Sequence, residues 1–196
     1  MDYTLDYYAH NAELFVADTG TVDFSAVRNR FLAKLQPGAS ILDLGCGSGR
    51  DTEAFLERGF AVTAADGSPE LCALAKSRTG IPVRRMLFRE LDERETYDGI
   101  WANASILHVP SAELPEIFRR IVTALKAGGV LYISFKYGTF EGNRNGRYYT
   151  DQTEETFAAF LTGFPEMNAE DQWTSGDVRP GRSAEKWLNT ILRKNE

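Results

Sequence analysis

Leu42-Asp43-Leu44-Gly45-Cys46-Gly47-Ser48-Gly49-Arg50 decides the reading of this chain. The apolar residues Ile41 to Leu44 predict a short buried strand, and Arg50 to Arg58 predicts a helix stopped by Gly59. Between them stand three glycines at alternate positions. Glycine allows a tight turn and lets a ligand approach the backbone closely. A nucleoside-triphosphate loop would end in Gly-Lys-Ser/Thr, and this one ends Gly49-Arg50-Asp51. A dinucleotide fingerprint would put its third glycine where Arg50 stands, and Arg50 would obstruct helix-on-strand packing. The residues fit a nucleoside carrying an amino-acid tail better. Asp43 would repel phosphates but can accept from an ammonium group, and Arg50 can face a carboxylate.

The same alternation spreads on both sides. Phe60 to Ala65, Pro82 to Met86, Tyr97 to Ala102 and Val130 to Phe135 predict further strands. Ser68-Pro69-Glu70 opens one helix with a cap, a first-turn proline and a first-turn acid. Ser111 is expected to cap another, with Leu114, Ile117, Ile121 and Leu125 on its apolar face, and the turn Ala127-Gly128-Gly129 to end it. Residues 1–35 read as helices, with Phe24, Val27, Phe31 and Leu35 on one face. Gly138 to Tyr149 reads as a loop, Thr153 starts a helix, and segments around Trp173 and from Trp187 to Leu192 read as a closing antiparallel pair. The expected fold class is α/β, layered, with ligands beyond the carboxyl ends of the strands. Asp66 ends the second strand, twenty-one positions after Gly45, where a carboxylate can take both hydroxyls of a ribose.

Composition narrows the classes. The 196 residues suit one domain; 43% are hydrophobic, 26% charged, and the net charge is −6. Such a surface does not favour duplex nucleic acid. No apolar run approaches the roughly 20 residues of a spanning helix. Residues 1–15 lack a basic region followed by an apolar stretch, so no signal peptide is expected, and the cytoplasm is the expected place. Two isolated cysteines, Cys46 and Cys72, and two histidines, His10 and His108, give no metal-site spacing; both thiols are expected reduced.

The motifs at 42–51, 62–68 (Val-Thr-Ala-Ala-Asp-Gly-Ser), 97–102 (Tyr-Asp-Gly-Ile-Trp-Ala) and 125–131 (Leu-Lys-Ala-Gly-Gly-Val-Leu) resemble, in order and spacing, those of the class I S-adenosylmethionine-dependent methyltransferases. Gly47–Asp51 and Ala104–Pro110 look nearest to small bacterial tellurite-resistance-like methyltransferases. The resemblance implies a Rossmann-like, doubly wound seven-stranded sheet with its last strand antiparallel and one S-adenosylmethionine per chain, without a metal. The expected organisation is a single domain: N-terminal helices over 1–37, a cofactor-binding core over 38–136, and an acceptor-side loop with closing strands over 137–196.

Carried over by residue, the resemblance implies Asp43, Gly45, Cys46, Gly47 and Arg50 around the methionine part. It implies Asp66, Gly67 and Ser68 at the ribose, and Ala102 and Asn103 under the methionine. The family often has an acid for the adenine amino group near position 87. Met86-Leu87-Phe88-Arg89 has none, so the Leu87 carbonyl and Phe88 amide are expected there. Methyl transfer needs orientation and electrostatics more than a base. His108 is the candidate base. Tyr3, Tyr7 and above all Tyr8 stand on a helix that could lid the site and face a sulfonium. Lys136, Arg144, Arg147, Arg179 and Arg182 are expected to form a basic mouth. The expected function is methyl transfer to a small molecule or metalloid anion, with RNA an unfavoured partner and no membrane. The alternatives are a tRNA-modifying methyltransferase and a non-catalytic S-adenosylmethionine-binding module.

Overall fold

The computed structural model describes residues 3–179, 181–182 and 184–196; the side chain of Tyr3 lies outside what is described. Five parallel strands carry the fold: β1 (Ser40–Leu44), β2 (Ala61–Asp66), β3 (Val83–Arg85), β4 (Tyr97–Ala102) and β5 (Leu125–Lys136). The late pair is β8 (Met167–Gly176) and β9 (Lys186–Lys194). Among the described residues these form a seven-stranded sheet of order β3-β2-β1-β4-β5-β9-β8, with β9 antiparallel to both neighbours. The sheet class and the antiparallel last strand are those expected from the sequence.

Strand direction reverses its winding between β1, which pairs Ile41 with Gly99 of β4, and β2, which pairs Leu44 with Ala65. A crevice opens beyond the carboxyl ends at such a point. Alternation along the strands sends Ile41, Trp101 and Tyr132 to one face, where they meet Phe31 and Phe55. Leu42, Ile100 and Leu131 go to the other, against Leu114, Phe118 and Ile121. Both faces are therefore apolar, as a doubly covered parallel sheet requires. Trp101 stacks on Tyr132 at 4.0 Å between ring centroids. The covering helices are α2 (Ser25–Leu32), α3 (Arg50–Glu57), α4 (Pro69–Thr79), α5 (Leu114–Ala124) and α6 (Glu154–Leu161). Ser68 and Thr153 cap α4 and α6 through their side chains, as their sequences lead one to expect. Helix α1 (Tyr3–Thr19) stands apart, over the carboxyl edge of the sheet.

Three expectations need correction. Ser111 does not cap α5. The N–H groups of Glu113 and Leu114 both bond to the Pro110 carbonyl, so the chain makes a turn first and Glu113 becomes the cap position. The segment Ala127-Gly128-Gly129 does not end a helix. Leu125 already pairs with Tyr97 and Val130 with Gly99, so the glycines are an irregularity inside β5, with Gly128 at φ +72°. The stretch 138–149 is not a loop but a hairpin, β6 (Glu141–Arg144) and β7 (Arg147–Thr150), paired antiparallel. Its turn is Asn145-Gly146, with φ +53° and +79°, the two positive angles of a type I′ turn. No helix among the described residues is long and apolar enough to cross a membrane.

Candidate active site

A cavity of about 670 Å³ opens at the carboxyl ends of β1, β2 and β4. That is within the roughly 300–1,000 Å³ of small-molecule and cofactor sites. At one end lie the glycine loop, Asp43 and Asp66. At the other lie His108, Tyr8, Arg147 and Tyr149.

The glycine-loop end follows from strand geometry. Asp43 shares a face with Ile41, so its carboxylate turns towards α3 and accepts from the Thr52 hydroxyl at 2.6 Å. It is 2% exposed. Burial, reinforced by the neighbouring charge of Asp51, pushes its carboxyl up to about 8. Asp66 accepts from the Gly47 N–H at 2.9 Å through one oxygen and from the Ser68 N–H at 2.9 Å through the other. Burial raises its carboxyl above the ordinary value, against the pull of those amides. Gly47, at φ +55°, turns its N–H inward because no side chain stands there. A Cβ would come 3.2 Å from Phe15. At Gly45 a Cβ would fall 2.4 Å from that of Ser105, whose hydroxyl donates to the Leu44 carbonyl. The cradle is thus fitted closely around bare backbone.

Asp51 is the residue that sequence reasoning missed. Its Oδ1 accepts from Arg28 at 2.7 Å and Arg50 Nε at 2.9 Å. Its Oδ2 accepts from Arg50 Nη2 at 2.8 Å, Trp101 Nε1 at 3.0 Å and Asn103 Nδ2 at 3.1 Å. Burial alone would raise its carboxyl; the Arg50 and Arg28 guanidinia outweigh it and hold it below the ordinary value. Arg50 lines the cavity, but its fork is committed to Asp51, and its third nitrogen donates to the Thr19 carbonyl at 3.1 Å. Its cation is therefore shared with Asp51 and not held in reserve for a ligand carboxylate.

Gly45, Cys46, Gly47, Gly67, Leu87, Phe88 and Asn103 also line the cavity. Two expected residues do not. Ala102 is fully buried in the core, because it is the last strand position facing the α5 side. Ser68 is fully buried as well; its hydroxyl receives the Leu71 N–H and donates to Glu70. It reaches the site only through its N–H on Asp66. Leu87 gives its N–H to Glu90 and its carbonyl to the Glu90 N–H, so its polar groups already serve a local turn. The Cys46 thiol is pushed up by burial, and both cysteines are free and buried.

At the other end, α1 brings Thr4, Tyr8 and Phe15 over the cavity, three residues on one helical face. His108 Nδ1 lies 2.6 Å from the Tyr148 carbonyl. A carbonyl only accepts, so Nδ1 carries a proton, and in the neutral ring Nε2 is the acceptor. The Tyr8 hydroxyl, 3.3 Å away, donates to that Nε2. Burial pushes the Tyr8 phenol up to about 12, although Arg147 opposes the shift. Ala104 follows β4 at φ +50°, held by its N–H to the Ser134 hydroxyl at 2.8 Å. Backbone held in that region costs on the order of 1–3 kcal/mol and gathers at functional sites.

The basic mouth needs correction. Lys136 pairs with Asp177 at 3.0 Å and with Glu185, Arg179 with Asp177, Arg182 with Glu185, and Arg144 forks onto Asp151. Three carboxylates, Asp151, Asp177 and Glu185, thus engage all four of these cations. Arg147 differs: it stands against the rings of Tyr7, Tyr8 and Tyr149 at 4.6, 5.9 and 5.4 Å. Among the described residues no group of three or more His, Cys, Asp or Glu is arranged for a metal.

Known proteins align with this geometry. Residues 41–129 match the methyltransferase domain family. The chain is 33% identical over 105 residues to the ubiquinone biosynthesis O-methyltransferase of Xanthomonas campestris pv. campestris, covering 50% of this chain and 43% of that protein. It thus spans under half the length of that curated relative. The crystal structure of Burkholderia thailandensis 1,6-didemethyltoxoflavin-N1-methyltransferase, with its substrate and S-adenosylhomocysteine bound, superposes at a TM-score of 0.77 with 26% identity. It covers 97% of this chain and 85% of that one. The [4+2]-cyclase SpnF shares the fold at a TM-score of 0.73 with 16% identity, covering 97% of this chain and 94% of that one. The chain is thus similar to the methyltransferase domain family over residues 41–129 and shares the fold of an S-adenosylhomocysteine-bound methyltransferase.

Proposed function

We propose that the protein transfers a methyl group from S-adenosylmethionine to a small molecule held in the same cavity. One observation carries the reading: a single cavity joins a carboxylate end, with Asp43 and Asp66, to an aromatic and cationic end, with Tyr8, His108, Arg147 and Tyr149. The first end has the donor set for the cofactor. Asp66 keeps acceptor capacity for ribose hydroxyls beyond the two amides it receives. Asp43 is a buried carboxyl for an ammonium, and the bare backbone of Gly45 and Gly47 admits close approach. Bound there, S-adenosylmethionine would supply an activated methyl on a sulfonium, and the chain's part is to align an acceptor with it and exclude water. Tyr8, Phe15 and Phe88 supply the walls. His108 Nε2, fixed as an acceptor, can take a proton through Tyr8.

The named methyltransferases belong to ubiquinone biosynthesis and to 1,6-didemethyltoxoflavin, both small molecules, which favours that acceptor class over RNA, as does the pairing of most mouth cations with acids. The finer likeness to tellurite-resistance methyltransferases rests on Gly47–Asp51 and Ala104–Pro110, and makes a metalloid oxyanion one acceptor for the screen. The cyclase neighbour is a reminder that this fold also hosts other chemistry. Calorimetry with S-adenosylmethionine, S-adenosylhomocysteine and NAD, followed by an acceptor screen with labelled methyl donor, tests the reading. One site for the first two and none for NAD is expected, with label moved to a small acceptor. Binding of NAD alone would refute it, and tight S-adenosylmethionine binding without turnover on any acceptor would favour a non-catalytic binding module.

A further inference from the structure

Of the basic residues in the far half of the cavity, Lys136, Arg144, Arg179 and Arg182 each have a carboxylate partner, and Lys186 is exposed to solvent. Arg147 has no carboxylate partner among the described residues. Its guanidinium stands among tyrosine rings, one nitrogen donates weakly to the Tyr8 hydroxyl at 3.5 Å, and its Nε is buried without a hydrogen-bond partner. Aromatic faces favour a cation but do not cancel its charge. A buried donor left unpaired costs free energy unless something completes it. Arg147 reaches the cavity from the first position of β7, where the Asn145-Gly146 turn fixes the strand, and the Tyr148 N–H ties that strand to the Thr4 hydroxyl of α1 at 3.0 Å. The guanidinium is thus held in place rather than left to sweep solvent.

We propose that Arg147 is the anchor for an anionic acceptor, and that the substrate class is a weakly acidic aromatic or enolic molecule, bound with its O–H ionised against this guanidinium. The inference rests on the methyltransferase reading and deepens it. The cavity has acidic groups at the end for the donor and a cation without a carboxylate partner at the other, so an anion beside Arg147 is the charge that completes it. An amine would have to enter beside that same cation. Ionisation against Arg147 releases the proton to solvent. The oxyanion lone pair then forms the O–CH3 bond as the S–CH3 bond breaks, and the sulfur keeps the electron pair as a neutral thioether. Two opposite charges vanish together. Tyr8 and Tyr149 line the cavity beside the guanidinium.

The test uses 4-nitrophenol, whose phenolate is visible, with 4-nitroaniline as its neutral isostere, added to the full chain loaded with S-adenosylhomocysteine. An opposite charge within about 4–6 Å lowers an acid's pKa by roughly 1–3 units. Bound to the wild type, the probe should turn yellow at a pH at least one unit lower than when free, and bind at least tenfold tighter than 4-nitroaniline. Arg147→Gln should abolish the shift and weaken the phenolate at least tenfold while still taking up S-adenosylhomocysteine. Arg147→Lys, which keeps a cation without the fork, should retain part of the shift. An unchanged shift in Arg147→Gln, equal binding of both probes, or no binding of 4-nitrophenol to loaded protein overturns the proposal. If Arg147→Gln fails to take up S-adenosylhomocysteine, the wild-type comparison of the two probes decides alone. Failure of the wild type to take up S-adenosylhomocysteine overturns the methyltransferase reading instead.

Discussion

Two buried carboxylates a strand apart behave differently. Asp66 is held by two amides, so its loss should cost a ligand the bonds it makes to a charged group. Asp66→Ala should weaken S-adenosylhomocysteine binding by about 1.5–3 kcal/mol in calorimetry; unchanged affinity would remove Asp66 from the ribose. Asp43 accepts from the Thr52 hydroxyl, and burial raises its carboxyl from 3.8 to about 8. In the folded state it keeps a proton that the unfolded chain loses above 3.8. Its stability contribution is therefore complete below that value and drains away as pH rises to about 8. Asp43→Asn should flatten this slope: Tm at pH 8 rises above wild type, Tm near pH 4 is the same, and S-adenosylhomocysteine binds more weakly. A Tm difference between the two proteins that does not grow from pH 4 to pH 8 would show that Asp43 is ionised in the folded protein. Stability is given up at this position for a charge that only a ligand completes, a trade seen where sites must stay functional.

At the scale of elements, the core was legible and its edges were not. The central parallel strands announce themselves because burial on both faces makes them apolar runs, and Ser68-Pro69 and Thr153 mark helix starts by their caps. Residues 138–149 read as a loop because Gly, Asn and Arg dominate them. The Asn145-Gly146 dipeptide was the signal passed over, and it fixes the hairpin that aims Arg147 and receives α1. Helix α1 lies over both halves of the cavity: Leu5 sits where a Cβ on Gly67 would come within 3.0 Å, Phe15 faces Gly47, and Tyr8 meets His108. Its grip on the rest of the chain runs largely through cavity-lining side chains, so a ligand there should tighten it. Amide exchange in residues 3–19 should slow on adding S-adenosylhomocysteine. A chain lacking residues 1–20 should keep its sheet by circular dichroism and lose cofactor affinity, since ordering a segment costs roughly 1–2 kcal/mol per residue that ligand contacts must offset. Unaltered exchange together with unaltered affinity would make α1 packing alone.

For the whole molecule, the decisive joint is one that no local pattern displays. Asp51 sits on the first turn of α3, and its partners come from α2, β4 and the residue after β4, up to 52 positions away. Pairings at that distance exist only once the chain has folded, which is why the charges of the mouth were misread by counting them and why this hub went unseen. Its five bonds tie the helix that follows the glycine loop to the strand beside it and to Asn103 on the cavity wall. The same carboxylate occupies the fork of Arg50, which lines the cavity. Removing it leaves two largely buried guanidinia without their counter-charge, and breaking a buried pair costs about 3–5 kcal/mol. Asp51→Ala should therefore lower Tm by roughly 6–20 °C at neutral pH, given about 2–4 °C per kcal/mol for a domain of this size. Asp51→Asn, which keeps the shape and the acceptor oxygen, should lose less. The Asp51 carboxyl is held below its ordinary value, so its stabilisation is present above the unfolded-state pKa of 3.8 and is lost as pH falls through the lower folded value. The Tm gap between wild type and Asp51→Asn should therefore close on acidification below about pH 4. A gap that persists there, or an Asp51→Ala protein as stable as wild type, would mean that the joint is held by packing of Trp101 and Phe31 and not by the charge at its centre.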